Sequence, residues 1–224
     1  MTRKNLLIVG DGEFAEIACE YFTQDSDYDV AGFAVERDFL KKDRLLERPV
    51  VAFDEIDARF PAATHEAFVA VPYTQLNRVR ARLCGAAREK GYRLATYVSP
   101  AAFVWRNVEI GENCFIFEAN VIQYHARIGN NVVLWSGNHI GHRSVICDNV
   151  FVASHAVVSG YCRIAENCFV GVNSTLREHI TVGRDAVIGA GAVVVKDVPE
   201  RAVVRGNPAS PAGTDSFHVF GVRE

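Results

Sequence analysis

IGENCFIFEANVIQYHARIGNNVVLWSGNHIGHRSVI, residues 110–146, carries an isoleucine or leucine at every sixth position. The same spacing continues to Val194, and the full series is Ile110, Ile116, Ile122, Ile128, Leu134, Ile140, Ile146, Val152, Val158, Ile164, Val170, Leu176, Val182, Ile188 and Val194. A period of six matches neither the α-helical period of about 3.6 nor the alternation of a strand. It is typical of a coiled β-solenoid, in which each hexapeptide forms one short flat side and three hexapeptides complete a coil.

Two further columns accompany the aliphatic one. Small residues recur two positions before it (Cys114, Ala126, Ser144, Ala156, Cys162, Cys168, Ser174, Ala186 and Ala192), and glycines recur one position after it (Gly111, Gly129, Gly141, Gly171, Gly183 and Gly189). We expect the small residues at the inner corners and the glycines where the backbone bends into φ/ψ values that other residues avoid. Strands in neighbouring coils stack about 4.8 Å apart, so residues eighteen apart should lie over one another.

The repeat resembles that of the hexapeptide-repeat acyltransferases. The run at residues 197–209, DVPERAVVRGNPA, also resembles the ending typical of these enzymes. The resemblance implies a left-handed parallel β-helix, a winding opposite to the usual right-handed crossover of parallel strands.

Composition narrows the class of protein further. The chain has 224 residues and a net charge of −3, which gives no reason to expect nucleic-acid binding. No apolar run is long enough to span a membrane, and residues 6–10 are too short for the core of a secretory signal. The six cysteines form no CxxC pair, so we interpret them as reduced core residues. These features predict a cytoplasmic protein.

Residues 1–97 follow another pattern, in which apolar strands alternate with amphipathic helices. We predict strands at 6–9, 28–35, 49–53, 67–71 and 92–98 and helices at 14–22 and 77–90. This order predicts a small parallel α/β sheet of the Rossmann type. We therefore predict three parts: an α/β domain at 1–97, a β-helix at 98–211 and a C-terminal tail at 212–224.

The first turn, GDGEFA at residues 10–15, is a weak match to a dinucleotide-binding loop. Such loops bind phosphate through backbone N–H groups at the positive end of a helix. Asp11, Glu13 and Glu16 place three carboxylates at that end and would repel a pyrophosphate. We therefore do not expect NAD binding.

Both halves together resemble the sialic acid O-acetyltransferase-like enzymes, which include N-acetyltransferases of nucleotide-linked amino sugars. The resemblance implies that the loop with Gly10 and Gly12 holds the nucleotide part of the acceptor and that Glu36 contacts its base or ribose. Phe14 and Glu16 stand where the family commonly has His and a basic residue. These departures indicate that another nucleotide or carrier is recognised.

The resemblance also implies a general base at His142, in the sequence NHIGHR at residues 138–143. An imidazole suits proton transfer near neutral pH. Arg143 follows His142 where the family has a carboxylate, and a guanidinium accepts no proton. Glu178 and Glu118 are the candidates for an orienting partner.

Gly160 should stack one coil from His142, where the resemblance implies a backbone N–H that contacts the acyl carbonyl. His139 and His155 are alternative bases or acceptor contacts. Trp135 stands where the family has a small polar residue, and its indole could close the sugar pocket.

Acetyl-CoA as acyl donor follows from the same resemblance. Its pantetheine arm would lie where Gly189, Ala190 and Gly191 leave backbone groups open, and its phosphates would meet Lys196, Arg201 or Arg205. Because the acyl-donor groove of this fold lies between neighbouring prisms, we expect a homotrimer.

Two other classes remain open. The first is a zinc enzyme resembling the γ-type carbonic anhydrases, with ligands from His125, His139, His142 and His155. The second is a non-catalytic trimeric scaffold. The N-terminal domain, the acyltransferase-like ending and the loop-free repeat argue against the zinc enzyme, and we expect no metal; the scaffold stays open.

Overall fold

The computed structural model describes residues 3–223. Met1 and Thr2, at the start of the predicted first domain, and Glu224, at the end of the predicted tail, lie outside the described residues. The chain divides into two compact units. The first holds the residues up to Pro72 together with Arg80–Tyr97, and the second holds Tyr73–Val79 together with the chain from Val98 onward. The short segment 73–79, which falls inside the predicted first domain, thus groups with the β-helix.

The first unit is built on a five-stranded sheet. Its elements are β1 (Lys4–Val9), α1 (Glu13–Asp25), β2 (Tyr28–Val35), β3 (Arg44–Leu45), β4 (Arg48–Ala52), α2 (Ile56–Arg59), β5 (His65–Val69) and α3 (Arg78–Glu89), with 3₁₀ turns at Arg37–Phe39 and Phe53–Glu55. The strand order is β3-β4-β2-β1-β5, and all pairs are parallel except β3 with β4. The residues of β1 from Leu6 to Val9 are buried, as expected for a central parallel strand covered on both faces.

The predicted strand at 92–98 is largely absent. Leu94 forms only an isolated bridge with Ala67, and the extended part is β6 (Tyr97–Val98). The apolar alternation reflects burial of the Tyr92 and Leu94 side chains. Ala67 accepts a backbone hydrogen bond from Ala95 and donates one to Arg93, which makes the isolated bridge.

The second unit is a parallel β-helix with three flat sides. The first side holds β7 (Phe103–Val104), β10 (Val121–Ile122), β13 (His139–Ile140), β16 (Val157–Val158), β19 (Thr175–Leu176) and β22 (Val193–Val194). The second holds β8 (Glu109–Ile110), β11 (Arg127–Ile128), β14 (Val145–Ile146), β17 (Arg163–Ile164) and β20 (Thr181–Val182). The third holds β6, β9 (Phe115–Ile116), β12 (Val133–Leu134), β15 (Phe151–Val152), β18 (Phe169–Val170), β21 (Val187–Ile188), β23 (Ala202–Arg205) and β24 (Ser210–Asp215).

The aliphatic column forms the interior of the β-helix. Residues eighteen apart pair in register, for example Ile122 with Ile140 and Ile140 with Val158. From Ile116 to Val194 the members of the column are nearly or fully excluded from solvent and form one continuous core. The period of six therefore arises because each flat side contributes one inward aliphatic residue.

The expected role of the glycine column is wrong. The left-handed residues lie three positions after the aliphatic one, and they are Asn113, Ala119, His125, Asn131, Gly137, Arg143, Asn149, His155, Tyr161, Asn167, Asn173, His179, Asp185 and Gly191. The glycines directly after the aliphatic residues have ordinary φ values. A Cβ on Gly141 would fall 2.5 Å from the carbonyl carbon of Ser159, so glycine is needed there because neighbouring coils approach closely.

One corner of the β-helix is joined by a ladder of side-chain amides. Asn113 donates to Asn131 (2.9 Å), Asn131 to Asn149 (2.8 Å), Asn149 to Asn167 (3.1 Å) and Asn167 to Asp185 (2.9 Å). Each residue is left-handed, a conformation that Asn and Asp adopt more readily than most residues. The ladder satisfies buried polar groups and holds successive coils in register.

The third side is covered by other parts of the same unit. Its outward side chains include Phe151, Phe169 and Val187. Tyr73 packs its ring edge-on against both phenylalanines, and Leu76 packs with Val187. The predicted tail at 212–224 contains the end of β24 and the short helix α4 (Ser216–Phe220), whose aromatic rings join this layer.

The other two sides differ in their outward residues. The second side carries Glu109, Arg127 and Arg163 at exposed positions. The first side carries an apolar series that includes Phe103 and Val157, which are 52% and 37% exposed. None of the helices within residues 3–223 has the length and apolar character needed to cross a membrane.

Candidate active site

His142 lies at the corner between the first and second sides of the β-helix, two residues after β13. Its side chain is half-buried and its backbone N–H donates to the Gln123 side chain (3.1 Å). A Cβ on Gly160 would fall 2.5 Å from Cε1 of His142, 2.8 Å from Nε2 and 2.9 Å from Nδ1. The imidazole therefore covers Gly160, as the eighteen-residue register predicts.

The environment of the Gly160 backbone suits an incoming acyl group. Its carbonyl accepts from His179, whereas its N–H makes no hydrogen bond with the described residues 3–223. Gly141 lies beside that nitrogen, and a Cβ on residue 141 would come within 2.6 Å of it. Two glycines thus leave one unpaired amide directly beside an imidazole, an arrangement suited to a base next to an oxyanion donor.

No carboxylate in the described chain orients the His142 ring. Glu118 accepts a hydrogen bond from Ser136 (2.6 Å), and Glu178 is exposed without a hydrogen bond to His142. The guanidinium of Arg143 lies over the ring of Tyr124 (5.6 Å). The structure therefore supplies neither of the two orienting glutamates considered from the sequence.

The other sequence-predicted residues of the β-helix lie elsewhere on the prism. His139 points outward from the flat first side, between Val121 and Val157. His155 lies at the corner between the third and first sides, where its ring covers Gly137. Trp135 stacks on Phe117 (4.4 Å, 11°) beside the third side, so its indole serves packing within the chain. Within one chain, these three residues do not share the corner of His142.

The predicted acyl-donor residues are only partly open. The N–H groups of Gly189 and Gly191 donate to Val204 and Val172, so two of the backbone groups expected to be open are used within the fold. Ala190 and Gly191 are exposed, and nothing lies within 4 Å of a Cβ on Gly191. Lys196 is exposed.

The two arginines considered beside Lys196 differ from each other. The guanidinium of Arg201 lies 3.9 Å from the centre of the Phe217 ring, so this residue packs against α4. Arg205 is exposed. Lys196 and Arg205 are therefore available for a phosphate, and Arg201 has a packing role.

In the first unit, the structure brings Gly10, Gly12 and Glu36 to one edge of the sheet. They follow β1 and β2, neighbouring parallel strands whose carboxyl ends lie at the same edge of the sheet. The strand order reverses next to them, between β1 and β5, and such a point is a common ligand site in open parallel sheets. Gly10 has φ +130°, and a Cβ there would fall 2.7 Å from the Ala70 carbonyl oxygen. Gly12 begins α1, and a Cβ there meets nothing within 4 Å.

Glu36 forms a two-pronged ion pair with Arg82 (2.8 and 2.9 Å). These hydrogen bonds lower the pKa of the Glu36 carboxyl below its ordinary value. A ligand at this edge would therefore contact Glu36 as an ionised carboxylate that is already bound to Arg82. Lys42, which sequence reasoning missed, donates to the Asp11 carbonyl (2.8 Å) and places a cation beside the loop.

Sequence reasoning also missed the aromatic surroundings of His142. Tyr124 lies one coil before it in the same column, and Tyr161 meets its ring edge-on (5.1 Å, 84°). The register places Tyr124 eighteen residues before His142, and Tyr161 follows Gly160, the residue eighteen after it.

Comparison with known proteins agrees with this architecture. The family described as bacterial transferase hexapeptide (six repeats) matches residues 125–160 and 161–196. No curated protein sequence matches the chain. Among solved structures, a variant of perosamine N-acetyltransferase from Caulobacter crescentus, in complex with CoA and GDP-perosamine, is 25% identical, with a TM-score of 0.83 over 94% of this chain and 97% of that chain.

Two further structures are similar over nearly their whole length. The acetyltransferase domain of PglB from Neisseria gonorrhoeae is 25% identical, with a TM-score of 0.83 over 93% of this chain and 100% of that chain. WeeI from Acinetobacter baumannii is 24% identical, with a TM-score of 0.80 over 93% of this chain and 99% of that chain, and supports the fold alone.

The chain is an acyltransferase, and its residues 125–196 match the hexapeptide family. The predicted fold class, a small α/β domain followed by a left-handed parallel β-helix, is confirmed for this acyltransferase.

Proposed function

We propose that this acyltransferase moves an acetyl group from acetyl-CoA to an amino or hydroxyl group of a sugar, most simply an amino sugar linked to a nucleotide. The observation that carries the proposal is the imidazole of His142 lying over Gly160, with an unpaired amide beside it. Support comes from the Caulobacter enzyme, which was solved with CoA and GDP-perosamine.

The chemistry follows from these two groups. His142 takes a proton as the acceptor nitrogen or oxygen attacks the thioester carbon. The Gly160 N–H donates to the oxygen that becomes negative in the tetrahedral intermediate. The carbon–sulfur bond then breaks, and the proton held by His142 passes to the sulfur of CoA. The products are an N-acetyl or O-acetyl sugar and free CoA.

The acceptor's nucleotide is proposed to bind at the edge formed by Gly10, Gly12 and Glu36. The positive φ of Gly10 shapes the turn there, and Lys42 supplies a cation within reach of the loop. The acidic first turn of α1, with Glu13 and Glu16, disfavours direct phosphate contact with the helix end. This supports recognition through the base or ribose.

Acetyl-CoA is proposed to lie along Ala190 and Gly191, with its phosphates near Lys196 and Arg205. These four residues are exposed, and the space beside Gly191 is clear. When bound, CoA supplies the thioester that is attacked. The residues present fit an extended chain ending in phosphates.

A homotrimer is proposed to complete the enzyme. The first side of the β-helix is apolar at Phe103, Val121 and Val157, and no described part of the chain covers it. The second side is charged, and the third is covered by the segment 73–79 and α4. A closed assembly would bury the first side of each copy. A cytoplasmic location, where acetyl-CoA is made available, completes the proposal.

The test is an acetyl-transfer assay with acetyl-CoA and a panel of nucleotide-linked amino sugars, read as release of CoA thiol and acetylated product by mass. His142→Ala should lower kcat by about 10²- to 10⁴-fold. His139→Ala and His155→Ala, which change histidines away from that corner, should keep most activity. Full activity in His142→Ala would remove His142 from the mechanism.

Metal analysis and calorimetry separate the other two classes. No three His, Cys, Asp or Glu side chains converge within the described part of a single chain. Stoichiometric zinc in the assembled protein, with no effect of acetyl-CoA, would overturn the acetyl-transfer proposal in favour of a zinc enzyme. Failure to bind acetyl-CoA in calorimetry would favour a scaffold.

A further inference from the structure

We propose that Tyr161 is a positioning residue that fixes the orientation of the His142 imidazole, with His179 packed behind it. The inference rests on the proposed function, since it takes His142 to be the base. It assigns to packed aromatic rings the task that a carboxylate performs beside many catalytic histidines.

The His142 ring needs such support because no hydrogen bond from the described residues 3–223 holds it. Within residues 3–223 its backbone N–H is bonded to Gln123, while neither ring nitrogen has a partner. A base that rotates freely loses part of its rate advantage, because proton transfer depends on the placement of the accepting nitrogen.

Two contacts limit the ring instead. Gly160 lies against its face, and Tyr161 meets it edge-on with ring centres 5.1 Å apart at 84°. Edge-to-face packing is a favoured arrangement of aromatic rings. Together, a glycine under the face and a ring at the side leave the imidazole a narrow range of rotation.

Tyr161 is itself held from behind. Its ring stacks on that of His179, with centres 4.9 Å apart at 14°. The Tyr161 N–H donates to the His142 carbonyl (2.9 Å), and the His179 N–H donates to the Gly160 carbonyl (3.1 Å). The coil register therefore sets the row His142–Tyr161–His179.

The residue type at this corner also points to a role beyond folding. Tyr161 is left-handed (φ 57°), and its side chain is exposed. The equivalent position is Asn at several places on the other two corners, for example Asn149 and Asn173, whereas the corner of Tyr161 carries His125, Arg143 and His179. Asn adopts this conformation with less strain than an aromatic residue does, so folding alone does not call for tyrosine here.

The test compares three variants of the full-length protein in the acetyl-transfer assay. Tyr161→Asn keeps a residue suited to the backbone and removes the ring, and it should lower kcat about tenfold with KM for acetyl-CoA unchanged within about twofold. Tyr161→Phe keeps the ring and should retain kcat within about twofold. His179→Asn should lower kcat about threefold, with no further loss in the Tyr161→Asn background.

The outcomes separate this inference from the proposed function. Wild-type kcat in Tyr161→Asn, with His142→Ala inactive, would overturn the role of Tyr161 and leave the function standing. An equal loss in Tyr161→Phe and Tyr161→Asn would also overturn it, because the hydroxyl rather than the ring would then be needed. Full activity in His142→Ala would reject the proposed base itself.

Discussion

The imidazole of His142 fills the space that a Cβ on Gly160, one coil further along the β-helix, would occupy. The eighteen-residue register that builds the fold thus also brings the proposed base against the proposed oxyanion donor. Any side chain on residue 160 would compete with the imidazole for the same space, so a single methyl group tests the arrangement.

Gly160→Ala should displace His142 and lower kcat by about 10²-fold, because a small misplacement of a catalytic group is costly. Gly160 does not have a left-handed φ, so alanine fits its backbone. The measurement is kcat together with the thermal midpoint. In the His142→Ala background, the same substitution should no longer destabilise the protein. Equal destabilisation in both backgrounds would show that the methyl group collides with something other than the imidazole.

Asn131→Ala should break the amide ladder. It removes one bond donated to Asn149 and one accepted from the fully buried Asn113. We expect a loss of about 2–4 kcal/mol in stability, measured by denaturant unfolding. Asn173→Ala is the matched control, since Asn173 is also left-handed (φ 56°) but exposed and outside the ladder. If both variants lose the same stability, backbone conformation and not hydrogen bonding dominates.

Val157→Asp should disrupt the proposed trimer, because it places a carboxylate at the middle of the apolar first side. The expected result is a monomer by light scattering after size-exclusion chromatography. Val145→Asp makes the same change on the outward face of the charged second side and should leave the assembly intact. A monomeric Val145→Asp variant, with a trimeric Val157→Asp variant, would assign the interface to the second side.

Glu36→Gln should reduce stability at neutral pH by at most about 1 kcal/mol, because the ion pair with Arg82 is partly exposed. Arg82 lowers the pKa of Glu36 in the folded protein, so the pair's contribution is present above the ordinary glutamate pKa. It is lost as pH falls through the lowered folded value. The difference between wild type and variant should therefore vanish in acid, as followed by thermal midpoints against pH. Glu89→Gln, which changes an exposed glutamate on α3, should show no such trend.

The repeating parts of the molecule were predictable from sequence, because each hexapeptide places its aliphatic residue in the same buried core. Ile140 and Val158 are one register step apart in sequence and in space, so the stacking of Gly160 on His142 followed directly. The left-handed corners were not recognised. Their residues range from Asn131 to Arg143 and Tyr161, so no residue type marks them.

Contacts made by non-repeating segments were beyond sequence reasoning. Gln75, Leu76 and Asn77 are three successive left-handed residues, and they lie far along the chain from the strands that Leu76 and Asn77 meet. Asn77 donates to the carbonyls of Asn167 and Cys168, about ninety residues away. Nothing local in the sequence encodes such a pairing, because the partner groups are backbone carbonyls that every residue possesses.

The amide ladder from Asn113 to Asp185 has a direction. Each of the four asparagines donates toward the C-terminal end. The last member, Asp185, is a carboxylate that only accepts, and it also receives a hydrogen bond from the Arg78 guanidinium (2.9 Å). Its ends therefore differ chemically while its middle members are interchangeable. A whole coil of eighteen residues with Asn at this corner could be added or removed between the ends. Every remaining side-chain amide would still donate in the same direction. The length of the β-helix is thus free to vary in evolution by whole coils, whereas a change of one hexapeptide would bring Asn113 and its successors to the wrong corner.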